Sequence, residues 1–140
     1  MATTICFSDL THTGQIVAAN TFPLGITMIA AYAKKILNDD IEIEVFKYPE
    51  DLTSYLDNNT PAIVCFSIFA WNNHLSHEFA RRIKETHPST ITIFGGPNLP
   101  TYQAEQSNFL RKWPAVDIAV EGEGEVAFVE IFRTLRQFDF

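Results

Sequence analysis

Apolar and polar positions in this chain follow two periods that take turns. Thr3-Thr4-Ile5-Cys6-Phe7 is a short apolar run that predicts a first strand. Ile41-Glu42-Ile43-Glu44-Val45-Phe46 alternates strictly, which predicts a second strand with one wet face, suited to a sheet edge. Ala62-Ile63-Val64-Cys65-Phe66 is apolar throughout, as a central parallel strand covered on both faces must be. Ile91-Thr92-Ile93-Phe94 is a fourth strand, ended by Gly95-Gly96-Pro97. Asp117-Ile118-Ala119-Val120 is a short fifth. Between these runs the period lengthens to that of a helix. From a start at Pro23, residues Ile26, Ile29, Ala30, Ala33, Ile36 and Leu37 recur at helical spacing. A short helix is predicted from Asp51 to Asn58, and another around Tyr102 to Leu110. Leu75, Phe79 and Ile83 predict one face of a third helix, with Glu78–Arg82 and Arg81–Glu85 as surface pairs. Val126, Val129, Phe132 and Leu135 predict the apolar face of the last.

Five strands alternating with helices predict an α/β fold: a three-layer, Rossmann-like (flavodoxin-like) parallel sheet. A wet second strand and central first and third strands suit the order 2-1-3-4-5. In that order a ligand belongs at the C-terminal ends of strands 1 and 3, beside strand 4. The loops richest in chemistry fall on that edge: Asp9–Gln15, Ser67–Asn72, Gly95–Asn98 and Glu121–Gly124. The connection from Ser8 to Phe22 is long for a strand–helix loop, and long loops in compact domains are usually functional or mobile. No repeat or internal boundary interrupts residues 1–140, which read as a single domain.

Composition narrows the function classes. The net charge of −7, with no Lys/Arg cluster, argues against a nucleic-acid or anionic-membrane surface. Cys6 and Cys65 each lie in an apolar run, so buried free thiols are expected and a metal site of paired cysteines is not. No signal peptide or membrane span is legible, so a cytoplasmic protein is expected. His74 and His77 stand three apart on one predicted helix without a third ligand nearby, and a solvated helix face is the expectation.

The ligand edge carries partial matches to three other families. Gly122-x-Gly124-x-x-Ala127 matches a dinucleotide fingerprint as text, but it closes the chain instead of opening it. Glu121, Glu123 and Glu125 would also repel a pyrophosphate. Thr11-His12-Thr13-Gly14-Gln15 resembles the flavodoxin phosphate loop, with Ile16 where that loop has its last threonine. That resemblance implies an FMN-binding electron carrier as the alternative function. A receiver domain shares the topology, but Ser67 and Glu121 stand where it needs Asp and Lys.

Phe66-Ser67-Ile68-Phe69-Ala70-Trp71-Asn72, Phe94-Gly95-Gly96-Pro97 and Glu121-Gly122-Glu123-Gly124-Glu125, in this order at these strand ends, carry the closest resemblance. Together they resemble the cobalamin (B12)-binding domain that precedes the catalytic barrel in many radical S-adenosylmethionine (SAM) enzymes. Ser67-Ile68-Phe69 and Gly95-Gly96 match that family's motifs after strands 3 and 4 in position and separation. Its motif after strand 1, Asp-x-His-x-x-Gly, is matched by Asp9, His12 and Gly14 with the histidine one residue late. In the family that histidine is the lower cobalt ligand, which makes His12 the candidate metal ligand, set against an ordinary loop histidine.

The resemblance implies that the corrin lies across the strand ends and that its nucleotide tail enters beside strand 4, where only Gly95 and Gly96 leave room, with Pro97 and Asn98 as further cofactor-binding candidates. Ser67 would hydrogen-bond the tail base, and Leu10, Thr11, His12, Thr13, Gly14, Gln15 and Ile16 would run under the ring. Trp71 would pack near the corrin, Phe69 and Asn72 are further cofactor-binding candidates, and Glu121 and Gly122 would meet the tail's ribose. It further implies that residues 1–140 are the N-terminal part of a longer enzyme, of methyltransferase or cyclase type. A C-terminal radical SAM barrel would then carry a 4Fe-4S cluster and SAM. The signature Cys-x-x-x-Cys-x-x-Cys is absent from this chain, so no catalytic residue is expected within it.

Overall fold

The computed structural model describes residues 1–14 and 21–139. Among the described residues five strands form one parallel sheet: β1 (Thr3–Ser8), β2 (Ile41–Phe46), β3 (Ile63–Ser67), β4 (Ile91–Gly95) and β5 (Ile118–Val120). Their order is β2-β1-β3-β4-β5, as the burial pattern of the sequence predicts. Each pair is in parallel register, with Ile5 opposite both Ile43 and Ile63, Ser67 opposite Gly95, and Gly95 opposite Val120. The strands therefore end together, and their last residues form one edge.

Five α-helices among the described residues cover the sheet: α1 (Leu24–Leu37), α2 (Pro49–Leu56), α3 (Asn73–Thr86), α4 (Gln103–Lys112) and α5 (Glu125–Arg136). A helix needs an apolar stripe and a surface to bury it on. Ile26, Ala30, Ala33 and Leu37 of α1 join Phe128, Val129 and Phe132 of α5 over Ile5, Phe7, Ile63, Cys65 and Ile93 on one face of the sheet. On the other face, Leu52 of α2, with Ala80 and Ile83 of α3, packs against Cys6, Val64, Phe66 and Phe94, and α4 joins through Phe109. Both cysteines are buried and free. Among the described residues no helix is long and apolar enough to cross a membrane.

Helical phase is where periodicity misleads. Val126 is exposed, and the buried stripe of α5 is Phe128, Val129 and Phe132. At about 100° per residue, Val126 lies far round the helix from Phe128. Ile36 likewise stands outside the α1 stripe. In α3 the fully buried positions are Ser76, His77, Ala80 and Ile83, with Leu75 and Phe79 only partly covered. His77 is thus not on a solvated face. Its ring stacks on Trp113 at 3.8 Å and on Phe94 at 4.7 Å. The surface pairs do form, and Arg81 and Arg82 both reach Glu78.

Candidate functional site

The loop after β1 leaves the sheet by pairing with the residues that follow β2. The Asp9 amide donates to Phe46 O at 3.0 Å and the Thr11 amide to Lys47 O at 2.9 Å. These bonds draw Leu10 and Thr11 into the interior, where both are buried. Thr13 donates its hydroxyl to Glu50 at 2.6 Å, which holds that carboxylate below its usual range. Gly14 is exposed, and Gln15 and Ile16 lie outside the described residues.

Asn72 ties this loop to the one after β3. Its side-chain carbonyl accepts the Phe69 amide at 2.8 Å. Its NH2 faces Leu10 O at 3.0 Å, Ser67 O at 3.1 Å and the Asp9 carboxylate at 3.2 Å. A buried amide whose carbonyl and NH2 are both engaged is a structural clamp. Burial of Asp9 raises its carboxyl to about 6, against a smaller opposing pull from Lys47. His12 adds a second tie: a ring nitrogen facing a carbonyl must donate, so Nε2 gives its proton to Trp71 O at 3.0 Å. In the neutral ring that leaves the lone pair on Nδ1. Trp71 is largely exposed and stacks flat on Phe69, with ring centroids 4.6 Å apart.

The loops after β3 and β4 are bonded main chain to main chain. Ile68 N donates to Gly95 O at 2.8 Å, and Asn98 N to Ile68 O at 3.1 Å. This close approach needs Gly96. Its φ is +105°, and a Cβ there would sit 2.7 Å from Ile68 O and 2.8 Å from Ile68 N. Gly95 differs. A Cβ there would meet only Val120 O, at an ordinary 3.7 Å. The folded chain therefore requires a glycine at position 96 and does not require one at 95.

Gly95 borders a cavity of about 260 Å³ at the C-terminal ends of the strands, between the sheet and the first turns of α1 and α5. Phe7, Cys65 and Ile93 form its floor, Ile26 and Ile29 one wall, and Phe128 with Gly122 to Glu125 the other. Ser67, Phe69, Gly96 and Pro97 surround the mouth. The Ser67 hydroxyl has no hydrogen-bond partner among the described residues. Burial drives the Cys65 thiol well above its ordinary range, so it stays neutral. A second cavity of about 240 Å³ lies past Phe69 and Trp71, lined by Asp9, Leu10, Thr11, Phe22 and Lys47.

The structure brings Ser67, Phe69, Gly95, Gly96, Pro97 and Gly122 to one cavity, and Leu10, Thr11 and Trp71 to its neighbour. It does not bring Glu121 or Asn98 there. The Glu121 carboxylate accepts from Gln106 of α4 at 2.7 Å, on the opposite side of the sheet. Asn98 likewise faces the α4 side. Alternation explains Glu121: Val120 faces the α1–α5 core, so its neighbour does not. Motif reading missed the walls from α1 and α5. The only trace they leave in the sequence is a small residue at each helix start. Gly124 is one of these, where a Cβ would strike Ile29 Cδ1 at 2.6 Å.

An open parallel sheet with an apolar cavity at its switch point defines a ligand-binding α/β domain, with the ligand seated on strand ends. The family model described as the B12 binding domain matches residues 14–132, and the chain belongs to that family. Cobalamin, and not FMN, is therefore its cofactor. The chain is 36% identical over 74 residues to the cobalamin-dependent radical SAM methyltransferase TokK of Streptomyces tokunonensis. It is 37% identical over 71 residues to 2-(S-pantetheinyl)-carbapenam-3-carboxylate methyltransferase of Streptantibioticus cattleyicolor. These matches take in 53% and 51% of this chain but only 10% of each relative's length.

Proposed function

We propose that this domain holds cobalamin with the corrin across the C-terminal strand ends and the nucleotide tail in the cavity beside Gly95. The observation that carries this is the glycine the fold does not need. Gly95 borders an apolar cavity, and its missing side chain relieves no contact within the protein. Space kept clear without an internal reason is space for a ligand. The unpartnered Ser67 hydroxyl at the mouth supplies one hydrogen bond to the base. Gly96, Pro97 and Gly122 shape the entrance, and the stacked Phe69–Trp71 pair offers a flat apolar surface beside it. Leu10, Thr11 and Thr13 hold the neighbouring loop. His12 ties that loop to Trp71, and only its Nδ1 is open to cobalt.

The relatives carry the proposal further. In this reading residues 1–140 are the N-terminal domain of a longer radical SAM enzyme, of methyltransferase type. Its C-terminal barrel would hold the 4Fe-4S cluster and SAM. Bound cobalamin would supply a methyl group for transfer. This chain's own residues bind and orient the cofactor and exclude water from its tail.

Titration of the purified chain with hydroxocobalamin and with FMN, in parallel and followed by absorbance, tests the reading. A saturable spectral change with cobalamin alone supports it. A change with FMN alone transfers the function to electron carriage, with Thr11 to Gln15 as phosphate loop. No change with either sinks the claim that this domain suffices to hold the cofactor. An unchanged cobalt spectrum in His12→Ala assigns His12 to the loop, and a shifted one to the metal.

A further inference from the structure

Among the helices, α4 is the least anchored. Of its ten residues, Gln106 and Phe109 are half-buried and the other eight are exposed. By contrast α1, α2, α3 and α5 each bury at least one side chain. Cavities of about 250 Å³ and 540 Å³ flank Phe109, one against Ala119 of β5 and one beside the loop from Pro97 to Pro100. The attachments of α4 centre on Gln106 and on an aromatic box. The Gln106 amide donates to Pro100 O at 3.1 Å and to the Glu121 carboxylate at 2.7 Å. Phe109, with Trp113 just past the helix, closes on His77 of α3 at centroid distances of 5.5 Å and 3.8 Å. His77 is 4% exposed, and its Nε2 has no hydrogen-bond partner among the described residues.

We propose that α4 is a latch that opens as a unit while the rest of the domain stays folded, and that the uncharged His77 ring is the catch that holds it shut. A ten-residue helix is marginal in water once undocked, so opening also melts it. Opening removes Phe109 and Trp113 from His77 and lets water reach the ring. An imidazolium is hydrated there, whereas in the closed box it is desolvated. The charged groups acting on the ring add to this: His74 on its own helix, and Lys112 on α4, whose ammonium lies 5.2 Å from the Trp113 ring centroid. From the sheet, β4 brings Phe94, 4.7 Å away. Aromatic faces attract cations, but burial outweighs them and holds the His77 pKa at about 4. Between pH 6.5 and about 4 the open state therefore binds a proton that the closed state refuses, and acid favours opening.

The test is amide hydrogen exchange of the 140-residue chain, followed by mass spectrometry and corrected for the pH dependence of chemical exchange. At pH 6.5 residues 103–112 should exchange at least about tenfold faster than the cores of α3 and α5. Between pH 6 and pH 5 their protection should fall by about fivefold to tenfold, as uptake of one proton requires. His77→Phe keeps a ring in the box and removes the proton, so it should abolish that fall. Equal protection of α4 and α3 would overturn the latch, because α4 would then open only with the whole domain. Protection of α4 that ignores pH in the parent chain would overturn His77 as the catch, and so would an undiminished fall in His77→Phe. The parent's own pH series decides both points even where His77→Phe does not fold.

Discussion

At the scale of single residues, two adjacent glycines have separate duties. Gly96 serves the fold: its positive φ and the Ile68 backbone at 2.7 Å exclude a side chain. Gly95 serves the cavity and leaves an ordinary 3.7 Å to its nearest atom. Gly95→Val should therefore keep its circular dichroism and unfolding midpoint, because a β-branched residue suits a strand end. The same variant should lose cobalamin affinity by tenfold or more. Gly96→Ala should destabilise the domain by about 1–3 kcal/mol, read from urea unfolding, because strain at such a position is of that order. If Gly95→Val bound cobalamin normally, the tail would lie elsewhere. Reading Gly95-Gly96 as one motif was legible in the sequence. Dividing it was not, since only the path of Ile68 past β4 tells the two apart. Asn72 teaches the same lesson. As a polar loop residue it reads as a ligand contact, yet its amide is spent on Asp9, Leu10, Ser67 and Phe69.

At the scale of elements, α3 and α4 meet around a histidine. His77 stacks between Phe94 and Trp113, its Nε2 without a hydrogen-bond partner among the described residues. Burial, with His74 on the same helix and Lys112 on α4 adding smaller repulsions, lowers its pKa to about 4. The unfolded chain takes up this proton near pH 6.5, whereas the folded domain resists it down to about pH 4. Between those values the unfolded state binds more protons, so acidification costs stability. Asp9 works in the opposite direction, since its raised pKa favours the folded state as pH falls through about 6. Comparing two chains that both keep Asp9 removes its contribution. His77→Phe preserves an aromatic ring in the stack and removes the proton. Its thermal midpoint should gain on the parent's as pH falls from 6.5 to 4, and the gap should level off below that. A gap independent of pH would mean that His77 is solvated. Sequence periodicity placed α3 and found Leu75, Phe79 and Ile83 on its core side, but it missed that Ser76, His77 and Ala80 are buried more deeply there.

At the scale of the whole molecule, binding and folding are linked. The cavity draws its walls from β1, β3, β4, β5, α1 and α5, so it exists only in the folded state. A ligand that binds only the folded state stabilises it by mass action, by about 2.7 kcal/mol at a hundredfold excess over Kd. Cobalamin should therefore raise the thermal midpoint by several degrees, increasing with the logarithm of its concentration, and FMN should leave it unchanged. A midpoint indifferent to cobalamin would mean that this domain needs the remainder of a longer protein to close the site.

The chain by itself determined its elements and, through them, its sheet. Strict alternation in Ile41 to Phe46 marked the edge strand, and continuous apolarity in Ala62 to Phe66 marked a central one. Together they led to the order found. It also marked the ligand edge, because Ser67 and Gly95-Gly96 lie at strand ends whatever the packing around them. Tertiary structure alone decided which side of the sheet each group faces. It turned Glu121 toward Gln106, buried His77, exposed Val126 and built the cavity walls from two helices about a hundred residues apart. The physical reason is one of range. Period and turn chemistry are local and are written in covalent order, whereas the rotation of each helix follows from side chains that meet only when the layers close.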